Sequence, residues 1–440
     1  MPPRARLFLF LLAPLAIAQQ PALPLSLRKS IEIALSPEGN TRVELANESV
    51  AQADARKGQA RAALLPNLDS SVSYQDATRN LAAFGINFPS LPGFTFSTFA
   101  GPFAIFDART SATQSILDLS SIRRYQSSRA GIHAARGDRD HVRNQVTAQV
   151  ARAYLSALRA EAQVDAARAN LEMAETLRRL AESQKNAGTG TGIEVTRAEV
   201  QRANERQRLH VSENERTRSH LELLRALDLK LDTRLELTDK LSYAPVEPVS
   251  LDQALQSAID SRPDLKAQQE REHAARLSYK ATAMERLPSV AAFADYGTIG
   301  PQPDQSRATR TVGLSLRLPI FDGGRRDARR AEFASQWRQE TIRAKDLRQQ
   351  MELELRIAFD NLRSAELQVA AAEEGVGLAG KEFEQAQRRY KAGLTSSLEV
   401  TGAQTRLVRA RDNRTSALFQ YNLARLDLGS AMGSVERFLP

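Results

Sequence analysis

NAGTGTGIEVT, residues 186–196, returns 205 positions later as KAGLTSSLEVT, residues 391–401. Each copy carries a glycine break, then a hydroxyl residue, then a glutamate three positions on, which is how one helix ends and the next is capped. The same offset holds without insertion from Ala153 to Ala226, where AYLSALRAEAQV (153–164) answers AFDNLRSAELQV (358–369). Upstream, LSLRKSIEIAL (25–35) answers VSLDQALQSAI (249–259), Pro66-Asn67-Leu68 answers Pro288-Ser289-Val290, and Tyr74 answers Tyr296. One unit is present twice. The reading places a first repeat at 19–228, a linker at 229–248, a second repeat at 249–433 and a tail at 434–440.

Proline placement says what the repeat is made of. None occurs from Phe103 to Ala244 or from Ile320 to Leu439, although the chain has 18. Proline costs about 3 kcal/mol inside a helix, so both stretches permit very long helices. Val146, Val150, Ala153, Ala157, Ala160, Val164, Ala167, Leu171 and Ala174 step by 4 and 3, a heptad seam of small residues that lets helices approach closely. A helix from about Ser120 to Asn186 would be roughly 100 Å long at 1.5 Å per residue. Each repeat then reads as two shorter helices, a strand, a loop, a strand, and a long helical hairpin whose tip falls near Gly188 or Gly393.

The strands are expected at about 67–76 and 109–118, and again at about 289–297 and 310–320. In RTVGLSLRLPI (310–320), Val312, Leu314, Leu316, Leu318 and Ile320 alternate with Thr311, Gly313, Ser315 and Arg317. Leu68, Val72 and Tyr74 alternate in the same way with Asp69, Ser71, Ser73 and Gln75. Such alternation fits a lipid-facing barrel wall with a wet interior, and equally a half-buried soluble hairpin. Four strands cannot close, since bacterial barrels begin at about eight, and an open edge in lipid leaves backbone groups unpaired. A barrel would therefore have to be shared between chains.

Composition removes several function classes. Residues 1–18 hold Arg4 and Arg6, an apolar run from Leu7 to Ile17 and a small-residue end at Ala18, the pattern of a secretory signal. The chain has no cysteine, which excludes an acylated cysteine anchor and a disulfide framework. The net charge of +9 comes from arginines interleaved with acids along helices, a solvated face rather than a nucleic-acid surface. His133, His141, His210, His220 and His273 show no metal-ligand spacing, and no nucleophile motif stands near them. GTGTG (188–192) has no preceding strand and no following lysine, so it is not a phosphate cradle. No catalytic residue, cofactor or metal site is expected.

The stretch 388–433 resembles the C-terminal signature of the TolC-like outer membrane efflux proteins at Tyr390, Gly393, Ser396, Glu399-Val400 and Ala403-Gln404. LPIFDGG (318–324) resembles the family's strand-to-helix junction, echoed by SILDLSS (115–121). The resemblance implies a mainly α fold with membrane β: a homotrimer in which twelve strands form one outer-membrane barrel and twelve helical segments form a periplasmic tunnel. It also implies a passive exit duct in contact with outer-membrane lipid, engaged at its tip by a periplasmic adaptor and, through it, an inner-membrane transporter. An exported adaptor or coiled-coil structural protein is the alternative. The adaptor would not repeat strands before both long helices, and the structural protein leaves the strands unexplained.

Candidate site residues follow from this layout. Gly188 and Gly393 mark the hairpin turns, and with Thr395 and Ser396 form the candidate adaptor-docking tip. Glu194 and Glu399, with Tyr390, are candidates for a periplasmic gate: threefold repetition would make a carboxylate ring of any glutamate that faces the lumen. Both glutamates also suit the first turn of a helix, where the dipole favours an acid. By resemblance Glu399 sits at the family's selectivity constriction, but the second acid expected three residues later is Gly402. Phe84, Phe88, Phe94, Phe96, Phe99, Phe103 and Phe106 crowd the connection between the first two strands, residues 77–108, and are expected at the extracellular mouth. The equivalent connection in the second repeat, about 298–309, lacks phenylalanine.

Overall fold

In the computed structural model, residues 22–36, 39–85, 98–245 and 250–438 are described here. The first repeat contains α1 (Leu27–Leu35), α2 (Thr41–Ala62), β2 (Asn67–Asn80), β3 (Phe99–Leu117), α3 (Leu119–Asn186) and α4 (Gly192–Ala226). The second contains α5 (Leu251–Ser261), α6 (Pro263–Met284), β5 (Ser289–Gly300), β6 (Arg307–Arg317), α7 (Arg325–Lys391) and α8 (Ser397–Ala431). Two short strands, β1 (Leu23–Leu25) and β4 (Leu235–Leu237), pair in parallel. The chain divides into two compact units, and each draws on both repeats.

The unit made of Glu44–Val142 and Ile259–Leu353 contains the four-stranded sheet. Its order is β2-β3-β5-β6, antiparallel throughout, so β2 and β6 are edges. The register aligns Leu68 with Ala112, Ala112 with Ala294 and Ala294 with Val312, which gathers the apolar residues on one face. That face is open: Val312, Leu314 and Leu316 are 79%, 72% and 69% exposed. Neighbouring positions put Ser71, Arg109, Gly297 and Thr309 in one row of the other face. There Arg109 Nε donates to Asp107 Oδ1 at 2.8 Å, and its Nη1 lies 3.9 Å from Asp295. Gly313 on this face leaves room for the Phe293 ring, since a Cβ would lie 2.5 Å from Phe293 Cζ.

The strands are longer than their sequence suggests at the end away from the helices. Pairing of β2 with β3 continues past a register shift between Ala77 and Arg79 as far as Asn80 with Phe99. Gly101 and Pro102 occupy this bulge, and it is these residues that make the stretch read as a loop. Phe99, Phe103 and Phe106 are therefore strand residues, not part of a connection spanning 77–108. Phe106 lies opposite Tyr74 on the apolar side, and Phe103 points to the other face. Phe84 ends a single 3₁₀ turn and is exposed, while Phe88, Phe94 and Phe96 lie outside the described residues, as does the segment 1–18. In the second repeat β5 reaches Gly300 and β6 begins at Arg307 and ends at Arg317, so the connection is shorter than 298–309.

The other unit takes residues up to Val43, Arg143–Ala258 and the chain from Glu354 onward. The α3 seam packs as its spacing requires, with Val146, Val150, Ala157, Ala160, Val164, Ala167 and Ala174 buried. At the parallel strand pair, Asp239 Oδ2 accepts from Leu27 N at 2.8 Å, capping α1, and from Tyr154 Oη at 2.9 Å. Tyr154 also donates to Leu25 O at 2.9 Å, so β1, α1, α3 and the segment after β4 are tied together. Burial, and then the charge of Asp239, raise the Tyr154 phenol above its ordinary range, which keeps it a donor.

The open apolar face gives the first test. A cationic side chain facing hydrocarbon at mid-depth costs about 2–4 kcal/mol. Leu314→Arg is expected to lower the stability of the protein folded into bilayers by that amount, read from the urea midpoint. An unchanged midpoint would place this face in water.

Candidate functional site

The hairpin tips are built twice from one backbone device. At the end of α3, Gly188 N donates to Lys185 O at 3.0 Å and Thr189 N to Gln184 O at 2.9 Å. At the end of α7, Gly393 N donates to Tyr390 O at 3.0 Å and Leu394 N to Arg389 O at 2.9 Å. These paired bonds satisfy the last helical carbonyls and require a left-handed residue, supplied by Gly188 (φ 74) and Gly393 (φ 71). The next helix then starts from Thr191 or Ser396, each in extended backbone.

The two glutamates, equivalent in sequence, differ in place. Glu194 Oε2 accepts from Thr191 N at 3.0 Å and from Thr191 Oγ1 at 3.3 Å. Ser397, in the first turn of α8, lines the same small cavity as Glu194, and its hydroxyl has no hydrogen-bond partner. Thr191 above all holds the Glu194 carboxyl below its usual range. Glu194 thus caps the start of α4 and shares a cavity with the start of α8. Glu399 instead accepts from Thr395 Oγ1 and lies 3.8 Å from Arg389 Nε, with nearly half of its side chain exposed.

Tyr390 joins Glu194 from the second hairpin. It is 5% exposed and packs with Leu177 of α3, Ala386 of α7, and Val400 and Ala403 of α8. Gln184 Nε2 donates to the Tyr390 carbonyl at 3.4 Å. Burial first, and then the Glu194 charge, raise the Tyr390 phenol. Glu194, Tyr390, Ser397 and Gln404 line a cavity of about 20 Å³, about the size of one water. Gln404 is fully buried there, and neither of its amide atoms has a protein partner.

The structure therefore brings together Glu194 and Tyr390 but leaves Glu399 on a separate, exposed patch with Thr395. Gln184, Ser397 and Gln404 belong to the site and were not singled out by sequence for a role in it. The threonine-to-glutamate spacing of 191–194 signals the cap. No one-dimensional signal shows that the same carboxylate shares a cavity with α8, because that depends on how the hairpins pack.

Comparison with known proteins agrees with this architecture. A profile of the outer membrane efflux protein family matches residues 38–228 and 254–434. The pyoverdine export outer membrane protein OpmQ of Pseudomonas putida is 25% identical over 416 residues, covering 90% of this chain and 86% of OpmQ. The outer membrane efflux protein BepC of Brucella suis is 26% identical over 236 residues, 52% of this chain, and that match spans only 50% of BepC. The CmeC outer membrane channel of Campylobacter jejuni has the same fold at a TM-score of 0.75 and 20% identity, covering 93% of this chain and 86% of CmeC. The chain belongs to the outer membrane efflux protein family: it is a channel of the outer membrane, with the family's helical tunnel and β-barrel architecture, and not an enzyme.

Proposed function

We propose that the protein is the exit duct of a tripartite efflux or type I secretion system, working as a homotrimer with a periplasmic adaptor and an inner-membrane transporter. The observation that carries this reading is the sheet: four strands with an exposed apolar face and two open edges. Three copies supply twelve strands, enough to close a barrel around the polar face. A heat-sensitive trimer in the outer-membrane fraction is the expected result of detergent extraction, and buffer-soluble monomer would exclude the duct.

Glu194 and Tyr390 form the gate in this reading, with Gly188, Gly393, Thr395 and Ser396 at the turns that meet the adaptor. Closing the tip requires each protomer's two hairpins to hold together, and the Glu194 carboxylate, bonded to the start of α4 and lining one cavity with Tyr390 and Ser397, sits where they meet. Losing a cap of this kind costs about 1 kcal/mol, roughly a fivefold shift between closed and open tips. Glu194→Ala, which removes the acceptor of the Thr191 N–H, is expected to raise the open probability of single channels about that much, with the trimer intact. An unchanged open probability would reduce Glu194 to a local cap.

The same latch has a pH dependence of defined sign. A carboxyl whose folded pKa is depressed contributes stability that is present above its ordinary value and lost as pH falls through the depressed one. The closed tip is expected to hold at neutral pH and to open only below the ordinary glutamate range. Conductance that changes instead between pH 6 and 8 would point to a different group.

Glu399 has the separate role of setting selectivity, since it is exposed and only loosely paired. Glu399→Ala is expected to lower cation preference in planar bilayers without loss of the trimer. Unchanged reversal potentials would leave Glu399 as a partner of Thr395 alone.

A further inference from the structure

The junction of β6 with α7 combines two features that the gate and the barrel wall do not use. The apolar alternation of β6 runs on past its last strand residue: Leu318 is exposed, and Ile320 and Phe321 are 90% and 88% exposed. These two residues are more exposed than the large apolar residues of the strand itself, Val312, Leu314 and Leu316. The chain then turns through Gly323 and Gly324, both at positive φ, and enters α7 with Arg325, Arg326, Arg329 and Arg330. A large apolar pair followed within one turn by four guanidinium groups is the order expected of a segment crossing from hydrocarbon to headgroups.

The basic charge here is only partly compensated. Glu285, after α6, is shared between Arg124 and Arg329; Asp327 pairs with Arg286; and Asp322 lies 3.5 Å from Arg326 and 3.9 Å from Arg325. Arg330 donates to Tyr279 Oη at 3.2 Å and has no acid of its own among these pairs. Six arginines thus face three carboxylates. Arg325 is 79% exposed, and its nearest carboxylate is beyond hydrogen-bond distance. Guanidinium groups bind phosphate through parallel N–H donors, a geometry a lysine ammonium lacks.

We propose that the start of α7 is a binding site for anionic phospholipid headgroups, with Ile320 and Phe321 set among the acyl chains and Arg325, Arg329 and Arg330 on the lipid phosphate. The inference rests on the outer-membrane reading and goes beyond it: a barrel needs lipid of any kind, whereas this site selects a charge. The site lies at the helix end of the sheet, so it serves the leaflet on that side. The chain has no cysteine to acylate, and the headgroup site holds the rim at the membrane surface by charge. The apolar pair is continuous with the exposed face of β6, which is why the occupant is a bilayer and not a soluble anion.

The test uses the full-length trimer in nanodiscs of phosphatidylcholine alone or mixed with phosphatidylglycerol, with retained lipids counted by native mass spectrometry after detergent transfer. Each engaged arginine near an anionic surface is worth roughly a fivefold preference. Wild type is expected to retain phosphatidylglycerol over phosphatidylcholine by at least that factor, and the R325Q/R329Q/R330Q variant to lose the preference. The matching triple lysine variant, which keeps the charge but not the fork, should recover part of it. Should the glutamine variant not assemble, wild type in rising salt carries the test, since the preference should fall while the trimer persists. Equal retention of the two lipids by wild type, displacement of phosphatidylglycerol by inorganic phosphate alone, or a copy-to-copy contact that shields Phe321 from lipid-borne quenchers would overturn the proposal. If the protein were instead recovered as soluble monomer, the outer-membrane reading itself would fail, a result distinct from these.

Discussion

An apolar sheet face in hydrocarbon cannot coexist with open backbone edges. Each unpaired N–H or C=O in a bilayer costs several kcal/mol, and both β2 and β6 present a full row of them. Among the described residues the only other strands, β1 and β4, pair with each other in a separate sheet, and no helix is long and apolar enough to span a membrane. Oligomerisation is thus a condition for the fold to exist in lipid. The open apolar face, the polar face with its Asp107–Arg109 pair, and the close packing of Phe293 over Gly313 all take their meaning from closure between copies.

Duplication meets this condition economically, because each repeat supplies one strand pair and one helical hairpin. The repeats are equal in backbone and unequal in chemistry. Their tips share the same paired turn bonds, yet Glu194 lines a buried cavity with Tyr390 and Ser397 while Glu399 stays with its own exposed turn. Asp228 and Gly433 show the same contrast at the ends of the returning helices. Both are left-handed, at φ 54 and φ 75, but only the first has a side chain, which accepts from Thr41 at 3.1 Å. Symmetry in the backbone thus coexists with divergence in the side chains at the two tips.

Much of this was legible in the sequence because it rests on short-range rules. The absence of proline over 103–244 marks the long helix, the 4–3 spacing picks out its buried seam, and glycine three residues before a hydroxyl marks each turn. Less legible were features set by distant partners. The extension of β3 back to Phe99 depends on a bulge at Gly101-Pro102 and on pairing with Arg79 and Asn80, while locally the residues read as a loop. Asp239 looks like linker until α1 and Tyr154 are placed beside it. Gln404 carries part of the resemblance, but only packing shows that its amide is buried without a protein partner beside Glu194 and Tyr390.

Closure requires β2 of one copy to pair with β6 of the next. Because the chain has no cysteine, one cysteine fixed at Ser71 and a second scanned over the polar-face positions Thr309, Thr311, Gly313 and Ser315 of β6 can be cross-linked without background, at whichever position the register between copies brings opposite. Oxidation in intact outer membranes should give covalent ladders that end at three copies, with each single-cysteine chain remaining monomeric on a denaturing gel. Cross-links that join the two positions within one copy, or ladders that run beyond three, would contradict the account.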